Sequence, residues 1–295
     1  MSRLQARLLP DGRRLHLQDG PIDLVILAEG PPAAVARAQA AAAAALDGLL
    51  DALCAELPGL RAPAGTAAPR GAVARRMAGA VAPFAAETFI TPMAAVAGAV
   101  ADAVLAAMLA AAALDRAFVN NGGDIALHCG PGHALAVGLV DRPDRPGVFG
   151  RTAVRHGDGI GGIATSGWRG RSFSRGIADS VTVLAGTGAE ADAAATVVAN
   201  AVDLPGHPAV RRAPADAIHP DSDLGPRLVT RDVGPLAARE IEAALSAGAA
   251  RADDLLARGL IRGAALQLQG MVRTVGRPGR LAPPPVTRPE VAHHA

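Results

Sequence analysis

The apolar positions of this chain fall into two textures. In the first, Ile22–Ala28 reads as a short buried strand. Pro31-Pro32 then opens an alanine-rich helix to about Leu57, with Asp47, Asp51 and Glu56 on its wetter side. Pro58–Arg70, rich in Pro, Gly and Ala, reads as a linker, and Gly71–Ala82 as a short helix. Thr91-Pro92 sets proline at the start of a second long helix, where its missing N–H costs nothing. That helix runs to about Leu114 and is apolar nearly all round, so it packs on several sides.

From Phe118 the second texture begins. Ala117–Val119, Ile125–His128, Ala134–Val140, Thr152–His156, Ile160–Ala164 and Ser180–Ala185 are short strand-like runs between Gly, Pro and Asp turns. Helices follow at Ala191–Val202 and Leu236–Arg258, and Ile261–Val275 is a closing strand region. Blocks of helix and blocks of strand in succession predict an α+β fold, an antiparallel sheet core packed with Ala-rich helices. The expected organisation is one domain over 1–275, two-lobed about a linker near 58–70. Gly276–Ala295, with five prolines and no periodicity, reads as a disordered tail.

Composition narrows the function classes. Arginine supplies every basic side chain, 29 against 27 acidic residues, for a net charge of +2. Without lysine there is no P-loop lysine and no Schiff base. Aromatics make up 2% of residues, too few for stacking bases, so no nucleic-acid partner is expected. Two cysteines, Cys54 and Cys129, cannot build a disulfide scaffold or a four-cysteine zinc site. The early arginines precede no export-signal core, and the expected location is the cytoplasm. Thr91–Leu114 is long enough to span a membrane, but Asp102 at its middle points to a buried helix and no membrane partner.

Three polar clusters carry the candidate chemistry. Asn120-Asn121-Gly122-Gly123-Asp124 lies between two strand-like runs and suits either a plain hairpin turn or a turn that exposes backbone N–H groups. Gly159–Gly176 holds six glycines, four hydroxyls and three arginines, a mixture that suits phosphate oxygens or a flexible basic loop. Asp192, Thr196 and Asn200 share one helix face. They are hard oxygen donors of the kind Mg²⁺ takes, or a helix cap with local hydrogen bonds. His128, Cys129 and His133 flank a Gly-Pro-Gly turn and read as chance neighbours, and both cysteines read as small buried hydrophobes.

In order, these segments resemble the ApbE-like superfamily, whose founding members are Mg²⁺-dependent FAD:protein FMN transferases. Gly98-Ala99-Val100-Ala101-Asp102 is similar to its G-x-A-x-D helix motif, and Asn121-Gly122-Gly123-Asp124 to its Asn-x-Gly-Gly-Asp turn. Ala164-Thr165-Ser166-Gly167 is similar to its Thr-Ser-Gly strand end, and Asp192-Ala193-Ala194-Ala195-Thr196 to its D-A-x-x-T metal motif. Pro92–Ala99 and Gly170–Asp179 resemble signatures of an uncharacterised cytoplasmic sibling branch, some archaeal members of which are implicated in homocysteine formation and sulfur handling. Ala97 stands where the transferases usually carry Lys, and Arg171–Asp179 replaces their His-x-x-Asp-Pro loop.

The resemblance implies Asp192 and Thr196 as Mg²⁺ ligands and Asp124 as a base or orienting group. It implies FAD or a similar dinucleotide held by Asn121, Gly122, Gly123, Thr165, Ser166, Gly167, Arg171, Ser172 and Ser174. It also implies an acceptor protein for a transferase. The alternatives are sulfur chemistry on the same fold, with Cys54 or Cys129 as a persulfide carrier, and a non-catalytic binding protein. The small-residue helix faces are compatible with a homodimer.

Overall fold

The computed structural model describes residues 3–140 and 148–276. The chain opens with β1 (Gln5–Leu8), β2 (Leu15–Asp19) and β3 (Ile22–Glu29). Helices α1 (Pro32–Leu46), α2 (Leu49–Ala55), α3 (Leu57–Leu60) and α4 (Ala72–Val81) follow, and a 3-10 turn at Pro92–Ala95 leads into α5 (Val96–Ala111). Next come β4 (Arg116–Asn121), β5 (Asp124–Cys129), β6 (Ala134–Val140), β7 (Val148–Arg155), β8 (Gly162–Ser166) and β9 (Ser180–Ala185). The remainder is α6 (Gly188–Ala201), β10 (Val210–Pro214), α7 (Ala215–Ile218), β11 (Leu228–Val233), α8 (Ala238–Ala257), β12 (Gly263–Leu268) and β13 (Met271–Gly276).

The expected α+β architecture is what the structure shows. Nine strands form one antiparallel sheet in the order β1-β2-β3-β4-β5-β8-β9-β12-β13. Strict alternation along β3 buries Ile22, Leu24, Ile26 and Ala28 in one core with Ala34, Ala38 and Ala42 of α1 and Val100 and Val104 of α5. β9 and β12 are buried at all six positions, because both faces of the sheet are covered there. On the second face, Leu184 and Ala265 pack with Leu135 and Val154 of the β6–β7 ribbon.

Several boundaries differ from the sequence expectation, each for a local reason. The first helix does not run through to Leu57: it stops at Leu46, and Gly48 turns left-handed at φ 74° before α2. The expected linker begins inside α3, and Ala64 N–H is tied to the Ile90 carbonyl at 2.9 Å. The closing strand region is a hairpin, with Gln269 and Gly270 both at positive φ. The β1–β2 hairpin carries no sequence signal, because β1 is exposed at all four positions and has no alternation. The β10–β11 ribbon was not anticipated either. Of the expected tail, only Gly276 lies within the described residues.

Two stretches, Pro32–Ala55 and Pro92–Ala111, are long and apolar enough to cross a membrane by length and composition. The first is broken at Gly48, and half of the second's most apolar window is buried inside the fold.

The centre of the fold is the crossing of α5 and α6. The two helices carry matching segments, Gly98-Ala99-Val100-Ala101-Asp102 and Gly188-Ala189-Glu190-Ala191-Asp192. A Cβ on Gly98 would lie 2.2 Å from the Gly188 carbonyl oxygen, and one on Gly188 2.9 Å from the Gly98 oxygen. At that approach each helix lends a carboxylate to the other's start. Asp102 accepts hydrogen bonds from Gly188 N–H (2.8 Å) and Ala189 N–H (3.0 Å). Asp192 accepts from Gly98 N–H at 3.0 Å. Helix starts carry unpaired N–H groups and partial positive charge, so the exchange satisfies both.

Gly98→Ala is therefore expected to lower stability by at least about 3 kcal/mol, since backbone rather than a side-chain tip blocks the methyl. Gly79→Ala, at an exposed position of α4 with open space around its Cβ, is expected to raise it by about 0.5–1 kcal/mol. Urea unfolding of the two variants beside the parent measures both.

Candidate functional site

The Asn-Gly-Gly-Asp segment is both a hairpin turn and a wall of a cleft. Asn121 pairs with Asp124 in register, so Gly122 and Gly123 alone form the loop, at φ 67° and 116°. Asn120 Oδ1 accepts from Gly123 N–H at 2.8 Å and stiffens the turn. Asn121 Nδ2 donates to the Ala97 carbonyl at 3.1 Å and ties the turn to the first residues of α5.

β5 meets β8 only at Ile125↔Ile163 and Ala126↔Gly162. Beyond that short ladder, Asp124 Oδ1 accepts from Thr165 N–H at 3.2 Å. Thr165 Oγ1 and Thr182 Oγ1 are 2.8 Å apart. Gly162 lets β8 press against the start of α6, because a Cβ there would meet the Thr187 carbonyl oxygen at 2.1 Å. Thr187, not Asp192, is the side-chain cap of α6, accepting from Glu190 N–H at 3.2 Å. Asp192 is a helix-start ligand after all, but to α5.

The arginine-rich loop is closed at its base. Trp168 N–H donates to the Ala178 carbonyl at 3.0 Å. Asp179 accepts from Arg169 Nε at 2.7 Å and from Gln269 N–H at 2.6 Å. This closure presents Arg171 and Ser172 to the cleft, with Arg171 Nη1 3.4 Å from where a Gly122 Cβ would sit. Arg171 has no ion-pair partner among the described residues. Ser174 is not brought to the cleft: it is buried, with Oγ 3.4 Å from Asn200 Oδ1. Asn200 also accepts from Arg175 N–H at 2.8 Å, so of the Asp192, Thr196, Asn200 face only the first two reach the cleft.

The cleft has a volume of about 860 Å³. Its polar groups are Asn121, Gly122, Gly123, Asp124, Thr165, Ser166, Gly167, Arg171, Ser172, Asp192 and Thr196, which the sequence reading singled out, joined by Asp179, Ser180 and Thr182. Its apolar wall comes from elsewhere: Ile22, Leu50, Leu53, Leu57 and Leu60, with Met93, Val96 and Val100. No motif marks that wall or its Asp23 and Arg61, and Cys54, expected as a small buried hydrophobe, lies exposed on it. Each residue there looks like ordinary core, and only the fold brings α2 and α3 opposite the hairpin. Among the described residues no aromatic side chain lines the cleft.

Asp124 and Asp192 reach this cleft from different elements. Burial pushes the Asp124 carboxyl up to about 7, against the pull of the Thr165 N–H. Burial pushes Asp192 well above the carboxylate range, and the nearby Asp124 charge pushes it further. Asp102 is also raised by burial, though its two N–H donors oppose the shift. Cys129 is buried, its thiol raised by burial and donating to the Val154 carbonyl at 3.4 Å. His133 Nε2 stands 3.7 Å from Asp115 Oδ1, and His156 Nδ1 2.9 Å from the Cys129 carbonyl. No group of three or more His, Cys, Asp or Glu converges among the described residues.

The sign of the Asp124 effect follows from linkage. A carboxyl at about 7 in the native state and about 4 in the unfolded chain means the native state keeps a proton that the unfolded chain has released. Stability from this group therefore falls as pH rises through that window. Asp124→Asn, which keeps an oxygen for Thr165 N–H, is expected to gain stability over the parent as pH rises from about 4 to about 7 in EDTA. Denaturant unfolding across that range measures the difference.

The bacterial family described as AbpE bacteria matches residues 6–274. A UPF0280 protein of Methanopyrus kandleri is 38% identical over 128 residues, 43% of this chain and 48% of the relative. A UPF0280 protein of Methanosphaerula palustris is 38% identical over 140 residues, 44% of this chain and 52% of the relative. A UPF0280 protein of Methanothrix thermoacetophila is 38% identical over 122 residues, 38% and 46%. The chain thus spans about half the length of the curated relatives it matches. With the family match running from β1 to β13 through every cleft element, the chain belongs to the bacterial AbpE family, an ApbE-related group.

Proposed function

We propose that this chain binds FAD or a similar dinucleotide together with Mg²⁺ in the cleft, as a transferase-type enzyme. The observation that carries this is the pair of buried carboxylates, Asp124 and Asp192, the charge of the first raising the second, on a cleft they share with Arg171, which has no ion-pair partner among the described residues. Two such carboxylates fit a divalent cation, whose charge removes the penalty for ionising both. Asp124, Asp192 and the Thr196 hydroxyl are hard oxygen donors, and they leave coordination positions for phosphate oxygens. Bound there, the cation would polarise a phosphoryl oxygen and stabilise a leaving phosphate.

The rest is the work of the chain's own groups. Arg171 reaches over the Gly122–Gly123 turn and supplies charge-assisted donors to phosphate oxygens. The hydroxyls of Ser166 and Ser172 add donors from β8 and the loop. Asp124 holds its proton near neutral pH while the cation is absent, and with the cation bound it would act as a carboxylate that orients the ligand. The aliphatic wall takes the apolar part of the ligand, and about 860 Å³ is within the range of small-molecule and cofactor clefts. A transferred group requires an acceptor, protein or small molecule, entering from the open side.

A second reading keeps one foothold. Sulfur chemistry on this fold has a thiol available, because Cys54 is exposed and lines the cleft, whereas Cys129 is buried away from it.

Calorimetric titration with FAD, FMN and ADP, each with and without Mg²⁺, tests the first reading. Tight FAD binding that requires Mg²⁺ is expected. Asp192→Asn keeps an oxygen for Gly98 N–H, so it should melt as a folded protein and lose Mg²⁺-dependent binding by about 100-fold or more. Binding retained in that variant refutes the metal site. For the second reading, Cys54→Ser should abolish any sulfur-transfer activity while leaving FAD binding within about two-fold, as a thiol-to-hydroxyl change removes only the reactive group.

A further inference from the structure

The apolar wall of the cleft contains one charge that nothing among the described residues answers. Arg61 follows α3 directly and lines the cleft beside Leu57 and Leu60. It is half-buried, yet it makes no ion pair and no side-chain hydrogen bond among the described residues. The acidic groups around it are engaged. Glu56, at the start of α3, accepts from Arg70 N–H (2.6 Å) and Gly71 N–H (2.7 Å). Asp23, on the same cleft, is 2.9 Å from His16 Nε2. Asp179 holds Arg169 and Gln269, and Asp124 and Asp192 serve the hairpin and the helix crossing. A guanidinium drawn partly out of water without a partner is costly, and a bound anion removes that cost.

We infer that Arg61 is the receptor for a second anionic group on the ligand. The natural occupant would carry one phosphate at the Asp124–Asp192–Arg171 pole and a carboxylate or further phosphate at Arg61. The aliphatic wall formed by Leu53, Leu57, Leu60 and Val96 favours an apolar segment joining them. This rests on the reading that a phosphate and Mg²⁺ occupy the polar pole. Within that dinucleotide class it favours molecules with a further anion beyond the pyrophosphate over FAD, which has none.

Three chain-matched probes test the inference with Mg²⁺ present: octylphosphonate with one anionic end, and phosphonooctanoate and octane bisphosphonate with two. Decyl and dodecyl homologues cover the unknown span. The full-length protein is expected to bind the best two-ended probe roughly 10-fold or more tighter than its one-ended counterpart, as for a charge-assisted hydrogen bond. A carboxylate preference over the bisphosphonate would identify an organic acid, and the reverse a second phosphate. Arg61→Gln should erase the preference while leaving octylphosphonate affinity unchanged, and Arg61→Lys should keep part of it. Alkylation of Cys54, the exposed cysteine on the same wall, reports occupancy independently. It should slow with two-ended probes in the parent and not in Arg61→Gln.

Equal affinity for one-ended and two-ended probes at every length overturns the inference, as does a preference that survives Arg61→Gln. If Asp192→Asn leaves Mg²⁺-dependent octylphosphonate binding intact, or if no probe binds, the phosphate pole itself is wrong. That failure is separable, since it appears with the one-ended probe, and it takes the inference with it.

Discussion

Everything at the cleft depends on how closely α5 and α6 cross. Gly98 and Gly188 let the two backbones touch, and only then can Asp102 and Asp192 reach the opposite helix start. The two segments are nearly the same in sequence, Gly-Ala-Val-Ala-Asp and Gly-Ala-Glu-Ala-Asp, but the fold uses them differently. Asp102 is sealed in the interior with two N–H donors and Arg76 3.6 Å away. Asp192 keeps one oxygen on Gly98 N–H and lines the cleft together with Asp124. One carboxylate has become a strut, and its counterpart is a strut with an open side.

Much of this could be read from the chain. The strand at Ser180–Ala185 coincides with β9, and the four ordered motifs lead to one cleft. Motif residues are legible because glycine and carboxylate at fixed spacing have few other uses. What escaped reading lacked such a signature. β1 shows no alternation because both its faces are wet. The break at Gly48 hides in an alanine run that would continue equally well as helix. Ser174 and Asn200 look like ligand-binding residues by type, but they bond to each other's neighbourhood and fasten the loop to α6. The partners of a polar side chain are decided by tertiary placement, which spacing along one element does not contain.

The small side chains that make this composition look featureless also have a structural use. Alanine and glycine faces on α5 and α6 are largely consumed within the chain, where they permit the helix approach. Among the described residues the cleft lining holds no aromatic ring, and what it offers a ligand is charge placement and aliphatic fit. Arginine, which supplies every Lys/Arg-type charge in the sequence, brings positive charge to that lining through Arg171 and Arg61.

The short ladder between β5 and β8 has a mechanical meaning. Every other neighbouring pair in the sheet is laced over four or more residues, whereas this one holds at Ile125↔Ile163 and Ala126↔Gly162. Under load the sheet would part along this line first, with the α5–α6 crossing as its backing. Asp124 stands on one lip and Thr165 on the other, so a group bound in the cleft would sit over the least-laced seam of this sheet.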